Sequence, residues 1–148
     1  MNALQVLQTT LIGQRGFSPV VKKKTPLVLI AGESKADRLI VKDLLDLYNA
    51  PVLEAESGEE TVDFTIFHRP DLIFIDSALP GLDAFEAARL IRSIDSLNIV
   101  PIVFLSDYPE RTERYKAFAS GADDYLIKPL DLDRIDNILG KFLFLDIK

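Results

Sequence analysis

The chain contains no cysteine, which excludes disulfides, thiolate nucleophiles and cysteine-based zinc sites and agrees with a reducing compartment. It is also short of positive charge: 17 Lys and Arg stand against 23 Asp and Glu, a formal net charge of -6. Phosphate backbones and anionic lipid surfaces are attracted by basic faces that this balance does not supply, so the expected partners are proteins, not nucleic acid or membrane. No run of about 18 apolar residues is present to span a bilayer. The opening stretch MNALQVLQTTLIGQRG lacks the basic start and continuous apolar segment of a secretory signal. Together these absences predict a soluble cytoplasmic protein. Histidine is almost missing. The single one, His68, sits in FHRP at an expected helix end, where a partial positive charge suits the helix dipole; a structural role is expected there in preference to a phosphohistidine relay.

What the chain does have is apolar material in short runs. With 48% hydrophobic residues in 148, it can bury one core and is too short for two ordinary domains. Runs bounded by turn signals recur at residues 27–31, 51–55, 71–76, 100–106 and 124–128. Stretches such as DLIFID and IVFLS are nearly continuous Leu, Ile, Val and Phe, as strands of a parallel sheet covered on both faces must be. Helical spacing lies between them. Leu39, Ile40, Leu44, Leu45 and Leu47 mark the first helix, with Ser34 and Asp37 placed as a capping box. Val62, Ile66 and Phe67 mark the second, ended by Pro70, and Phe85, Ala88, Leu90 and Ile91 the third. Tyr115, Phe118 and Ala119 mark the fourth, closed by Gly121; Leu132, Ile135, Ile138, Leu139, Phe142 and Leu143 mark the fifth. Five alternations of strand and helix predict a doubly wound α/β domain over residues 27–148. Residues 1–26 stand apart as an N-terminal extension. They read as a tail and linker, or as a short amphipathic helix through Leu4, Leu7 and Leu11 that packs on a partner.

In an open α/β sheet, ligands bind beyond the carboxyl ends of the strands, where strand order reverses. The residues at those ends are Ala31, Gly32 and Glu33, then Asp76, Ser106 and Lys128. An aspartate, a hydroxyl and a lysine on one rim have a chemical logic: a carboxylate nucleophile toward a phosphoryl group, a hydrogen-bond donor to its oxygens and an ammonium counter-charge. Taken singly, each has a plainer reading. Asp76 could cap the loop after a buried strand, Ser106 could cap a helix ahead of DYPE, where Pro109 suits a first turn, and Lys128 could be a solvated charge.

The stretches RPDLIFIDSALPGLDAFEAARLIR, VPIVFLSD and GADDYLIKPLDLDRI occur in an order and at a spacing that resemble the receiver domains of two-component response regulators over residues 27–145. The resemblance implies a flavodoxin-like (βα)5 fold with a five-stranded parallel sheet in the order 2-1-3-4-5. It implies that Asp76 holds the phospho-acceptor position, Ser106 that of the switch hydroxyl, Lys128 that of the family's lysine and Tyr125 that of the aromatic whose rotamer reports activation. It also implies a cis peptide before Pro129. The fourth helix, fifth strand and fifth helix would form the output or dimer surface, with Arg111, Arg114, Lys116 and Tyr125 as its first contacts.

Departures from the family concern its metal. Where an acidic pair normally holds magnesium, this chain has Ala31 and Gly32, and neither a methyl group nor a hydrogen atom can join a shell of hard oxygens. The Ala78 backbone carbonyl can still serve as a ligand beside Asp76, and a contrary version has Glu33 reach inward and rescue a weak magnesium site. Asp107 brings a carboxylate that would repel a phosphoryl group unless it turns to solvent. With the pair gone, Asp76 and Lys128 are expected to pair directly. The reading is a stand-alone atypical receiver, not an enzyme, with weak or absent magnesium-dependent phosphorylation and no certain cofactor. It would act through contacts with a sensor histidine kinase, a phosphotransfer protein or an effector, or with its own copy. The alternatives are a phosphorylatable shuttle or relay intermediate, a flavodoxin-like nucleotide or flavin binder, and a small phosphatase of the haloacid dehalogenase type. The phosphatase normally needs a second aspartate where Ala78 stands, and AGESKAD offers no glycine-rich phosphate cradle.

Overall fold

The computed structural model describes residues 25–143, so the expected tail or helix before Thr25 lies outside the described residues. Five strands are present: β1 (Val28–Ala31), β2 (Val52–Ala55), β3 (Leu72–Asp76), β4 (Ile102–Ser106) and β5 (Asp124–Ile127). All pair in parallel, in the order β2-β1-β3-β4-β5. Five α-helices alternate with them: α1 (Lys35–Asp46), α2 (Gly58–His68), α3 (Ala84–Arg92), α4 (Arg111–Ala119) and α5 (Leu132–Leu143). The order in which strands are added reverses between β1 and β3, and their carboxyl ends open the crevice where such folds bind ligands.

The strands are apolar on both faces because helices cover both. On one face Leu29, Ala31, Ile73, Ile75, Ile102, Phe104 and Tyr125 pack against α3 and α4 through Phe85, Ala88, Ile91 and Ala117, with Val62 and Phe64 of α2 at the margin. On the other, Val28, Ile30, Leu72, Phe74, Val103 and Leu105 meet α1 and α5 through Val41, Leu44, Leu45, Ile135, Ile138 and Leu139. The alternation along each strand is the period-two pleat.

Two helices differ from the spacing read from sequence. In α2 the inner face belongs to Gly58, Thr61 and Thr65, while Ile66 is exposed and Phe67 is 86% exposed. The threonines pack inward because their hydroxyls return hydrogen bonds of 2.7 Å to the carbonyls of Ser57 and Thr61. Gly58 is required there: a Cβ would stand 1.9 Å from the Leu82 carbonyl oxygen. In α4 only Ala117 is buried, and Tyr115 is 77% exposed. That helix also starts at Arg111, two residues beyond Pro109.

Candidate functional site

Three neighbouring strands each deliver one residue to the crevice. Asp76 is the last residue of β3, Ser106 the last of β4, and Lys128 follows β5, where its backbone N–H donates to the Ser106 carbonyl at 2.7 Å. The Lys128–Pro129 peptide is cis. Lys128 Nζ pairs with Asp76 Oδ2, and Asp76 Oδ1 accepts the Ala78 N–H at 2.9 Å. A second carboxylate, Asp37 on the first turn of α1, lies 2.7 Å from the same ammonium, and Asp107 lies 4.0 Å away with its side chain 61% exposed. Asp107 is therefore largely solvated, at the outer edge of the Lys128 ammonium. Burial would lower the Lys128 pKa, but the hydrogen bonds and charges of Asp37 and Asp76 outweigh it and hold it above the ordinary lysine value.

Sequence reading assigned Asp37 to a capping box. Ser34 does cap α1, accepting the Asp37 N–H at 3.2 Å, but the Asp37 carboxylate is directed to Lys128. Nothing local in the sequence marks that choice. The next residue, Arg38, was also missed. It is buried, and it donates to the carbonyls of Gly32 (2.6 Å) and Glu33 (3.0 Å) while pairing with Glu54 and Glu56, which fixes the loop beyond β1.

That loop gives the two positions of the missing acidic pair different surroundings. Ala31 is buried in the apolar layer with Leu29, Ala55 and Ile75, facing away from the crevice. Gly32 is the residue against Asp76: a Cβ there would sit 3.5 Å from Asp76 Cβ, an ordinary contact. The cause is strand parity, since a one-residue shift moves a side chain to the other face. Glu33 follows with an exposed side chain.

The donors present do not fit a hexacoordinate magnesium ion. Gly32 supplies no oxygen from its side chain, both oxygens of Asp76 already have partners, and the ammonium of Lys128 lies between the Asp76 and Asp37 carboxylates. Among the described residues no group of three or more His, Cys, Asp or Glu is arranged to hold a metal.

Ser106 is fully buried. Its hydroxyl donates to Glu113 Oε1 of α4 at 2.6 Å and accepts the Tyr108 N–H at 3.0 Å. Tyr125, also buried, has its hydroxyl 2.9 Å from the Tyr108 carbonyl oxygen and 3.1 Å from Glu113 Oε1. Burial is the largest cause raising its pKa; the hydrogen bond with Ser106 opposes it, the Glu113 carboxylate adds to the rise, and Arg114 opposes it least. The charged stretch ERTERYK does not by itself mark Glu113 as inward; its inward position is set by α4 lying over β5. Arg111, Arg114 and Lys116 are exposed on α4. Arg114 lies over the Tyr125 ring at 5.8 Å and Lys116 over Phe85 at 4.6 Å. His68 ends α2 with its ring near Phe64 and takes no part in the crevice.

Residues 28–140 match the family model of the response regulator receiver domain. Chemotaxis protein CheY of Bacillus subtilis is 30% identical over 117 residues, covering 78% of this chain and 96% of that protein. Sensor protein GacS of Pseudomonas syringae pv. syringae is 28% identical over 135 residues, which are 89% of this chain and 15% of GacS. The chain thus spans nearly all of one relative and a small part of another. Among solved structures, the receiver domain of the Saccharomyces cerevisiae response regulator Ssk1, crystallised with the histidine phosphotransfer protein Ypd1, matches with a TM-score of 0.73 at 29% identity. That match covers 81% of this chain and 91% of the other. The fold, with its crevice at the reversal of strand order, and the match over residues 28–140 agree, and this chain belongs to the receiver domains of two-component signalling.

Proposed function

We infer that this receiver works as a cytoplasmic protein-docking module in which Lys128, and not a divalent ion, neutralises Asp76, so that magnesium-dependent phosphorylation of Asp76 is weak or absent. The observation that carries this reading is the ammonium held between Asp76 and Asp37 with the side-chain-free Gly32 packed beside Asp76. Phosphoryl transfer rests on positioning and charge neutralisation, and a site that lacks the metal's ligands loses much of both. The partners are a sensor histidine kinase, a phosphotransfer protein or an effector. The basic and aromatic face of α4, with Arg111, Arg114, Lys116 and the exposed Tyr115, is the proposed contact surface and the proposed homodimer face. Among the described residues no helix is long and apolar enough to cross a membrane.

A second reading, a phosphorylatable shuttle or relay intermediate, is favoured by one observation: Asp76, Ser106 and Lys128 do converge at neighbouring strand ends. Intact-mass spectrometry after incubation with acetyl phosphate and magnesium separates the two. The expected result is no added phosphoryl group on the wild type and a gain on Gly32→Asp, whose new Cβ the crevice accommodates. A gain on the wild type that Asp76→Asn abolishes would overturn the first reading in favour of the second.

A further inference from the structure

We propose that Glu113 is a positioning residue that draws the Ser106 hydroxyl and the Tyr125 phenol onto α4, so that Glu113 and any phosphoryl group on Asp76 compete for the single hydrogen of Ser106. The inference deepens the reading of Asp76 and Ser106 as one receiver site and rests on it.

The argument is a count of hydrogens. A serine hydroxyl has one hydrogen to donate. Here it goes to Glu113 Oε1 at 2.6 Å, while the oxygen accepts the Tyr108 N–H at 3.0 Å. A bond to a carboxylate is of the strong, charge-assisted kind, and Ser106 is fully buried, so water offers no replacement. No second hydrogen is left to turn toward Asp76. The Tyr125 hydroxyl likewise has one hydrogen, shared between the Tyr108 carbonyl and Glu113, and its ring is held inward under Arg114.

Helix α4 depends on this contact more than the other helices would. It buries only Ala117, and its N-cap, Glu110, makes no side-chain capping bond. Segments with so little apolar burial open most easily. Glu113 therefore does from within α4 what an anion at Asp76 would have to do from the crevice: it engages the β4 hydroxyl and fixes the aromatic of β5. In this chain the position of α4 is set without phosphate, and occupation of Asp76 would release Glu113 and loosen α4.

The test is hydrogen exchange read by mass spectrometry on the full chain, comparing peptides from residues 107–120 with those from β1 to β3. Glu113→Ala and Ser106→Ala should each speed exchange in 107–120 by roughly tenfold or more, the size of a lost hydrogen bond to a charged group, and leave β1 to β3 protected. The double variant should be no faster than either single one, and Glu113→Gln, which keeps an accepting oxygen, should restore most of the protection. Unchanged exchange in 107–120, additive single effects, or a glutamine no better than alanine would each overturn the proposal. If Glu113→Ala exposes the whole domain, Ser106→Ala and Glu113→Gln still decide it by the same readout. The exchange pattern needs no phosphate, so a wild type that proves phosphorylatable would sink the metal-free reading and leave this one standing, and the reverse outcome is equally distinguishable.

Discussion

Replacing Lys128 by Met tests whether the ammonium is what makes a buried Asp76 tolerable. The side chains of Lys128 and Asp76 are 11% and 9% exposed, so neither charge can recover hydration if its partner is removed. Methionine keeps the length of the stem and leaves the Asp76 carboxylate with the Ala78 N–H and no ammonium. Breaking one side of a buried pair costs roughly 3–5 kcal/mol; with some exposure here, about 3 kcal/mol is expected, a fall of roughly 10 °C in Tm for a domain of this size. Asp37→Asn should cost far less, about 1 kcal/mol, because Asp37 is 25% exposed and Asp76 keeps its counter-charge. The double variant Lys128→Met with Asp76→Asn strands no charge at the Asp76 position, leaving only the part-exposed Asp37 without its ammonium, and should be more stable than the sum of the single losses by about 2 kcal/mol. Urea unfolding at neutral pH measures wild type, the three single variants (Asp76→Asn included) and the double variant. A Lys128→Met variant within about 1 kcal/mol of wild type, or a cycle additive to within about 0.5 kcal/mol, would refute the reasoning.

Stability should fall on the alkaline side. The folded-state pKa values of Lys128 and Tyr125 lie above the ordinary 10.5 and 10.0, so the native state holds these protons more tightly than the unfolded chain. The resulting stabilisation is complete below about pH 10 and is lost as pH rises through the raised values. Urea midpoints measured upward from about pH 8 should drop more steeply for wild type than for Lys128→Met or Tyr125→Phe. Gly58→Ala forces a Cβ to within 1.9 Å of the Leu82 carbonyl oxygen and should cost about 3 kcal/mol, read by thermal unfolding in circular dichroism. Phe67→Ser, on the open side of α2, should change stability by no more than about 0.5 kcal/mol despite the loss of a large apolar side chain.

By itself the sequence determined the strands, their order along the chain and the residues at their carboxyl ends. Each of these is a local property: a continuous apolar run such as LIFI can only be buried on both faces, and the turn signals around it limit its length. Asp76, Ser106 and Lys128 were legible as strand-end candidates for the same reason, being the first polar residues beyond such runs. Tertiary structure alone decided which neighbours complete the site. That Gly32 and not Ala31 lies against Asp76 follows from pleat parity, which a missing pair of acids cannot reveal. That Asp37 serves Lys128 and Glu113 serves Ser106 depends on which side of α1 and α4 meets the sheet. Helical spacing leaves that open when, as in α2 and α4, small residues and threonines line the buried side and the large apolar ones face out.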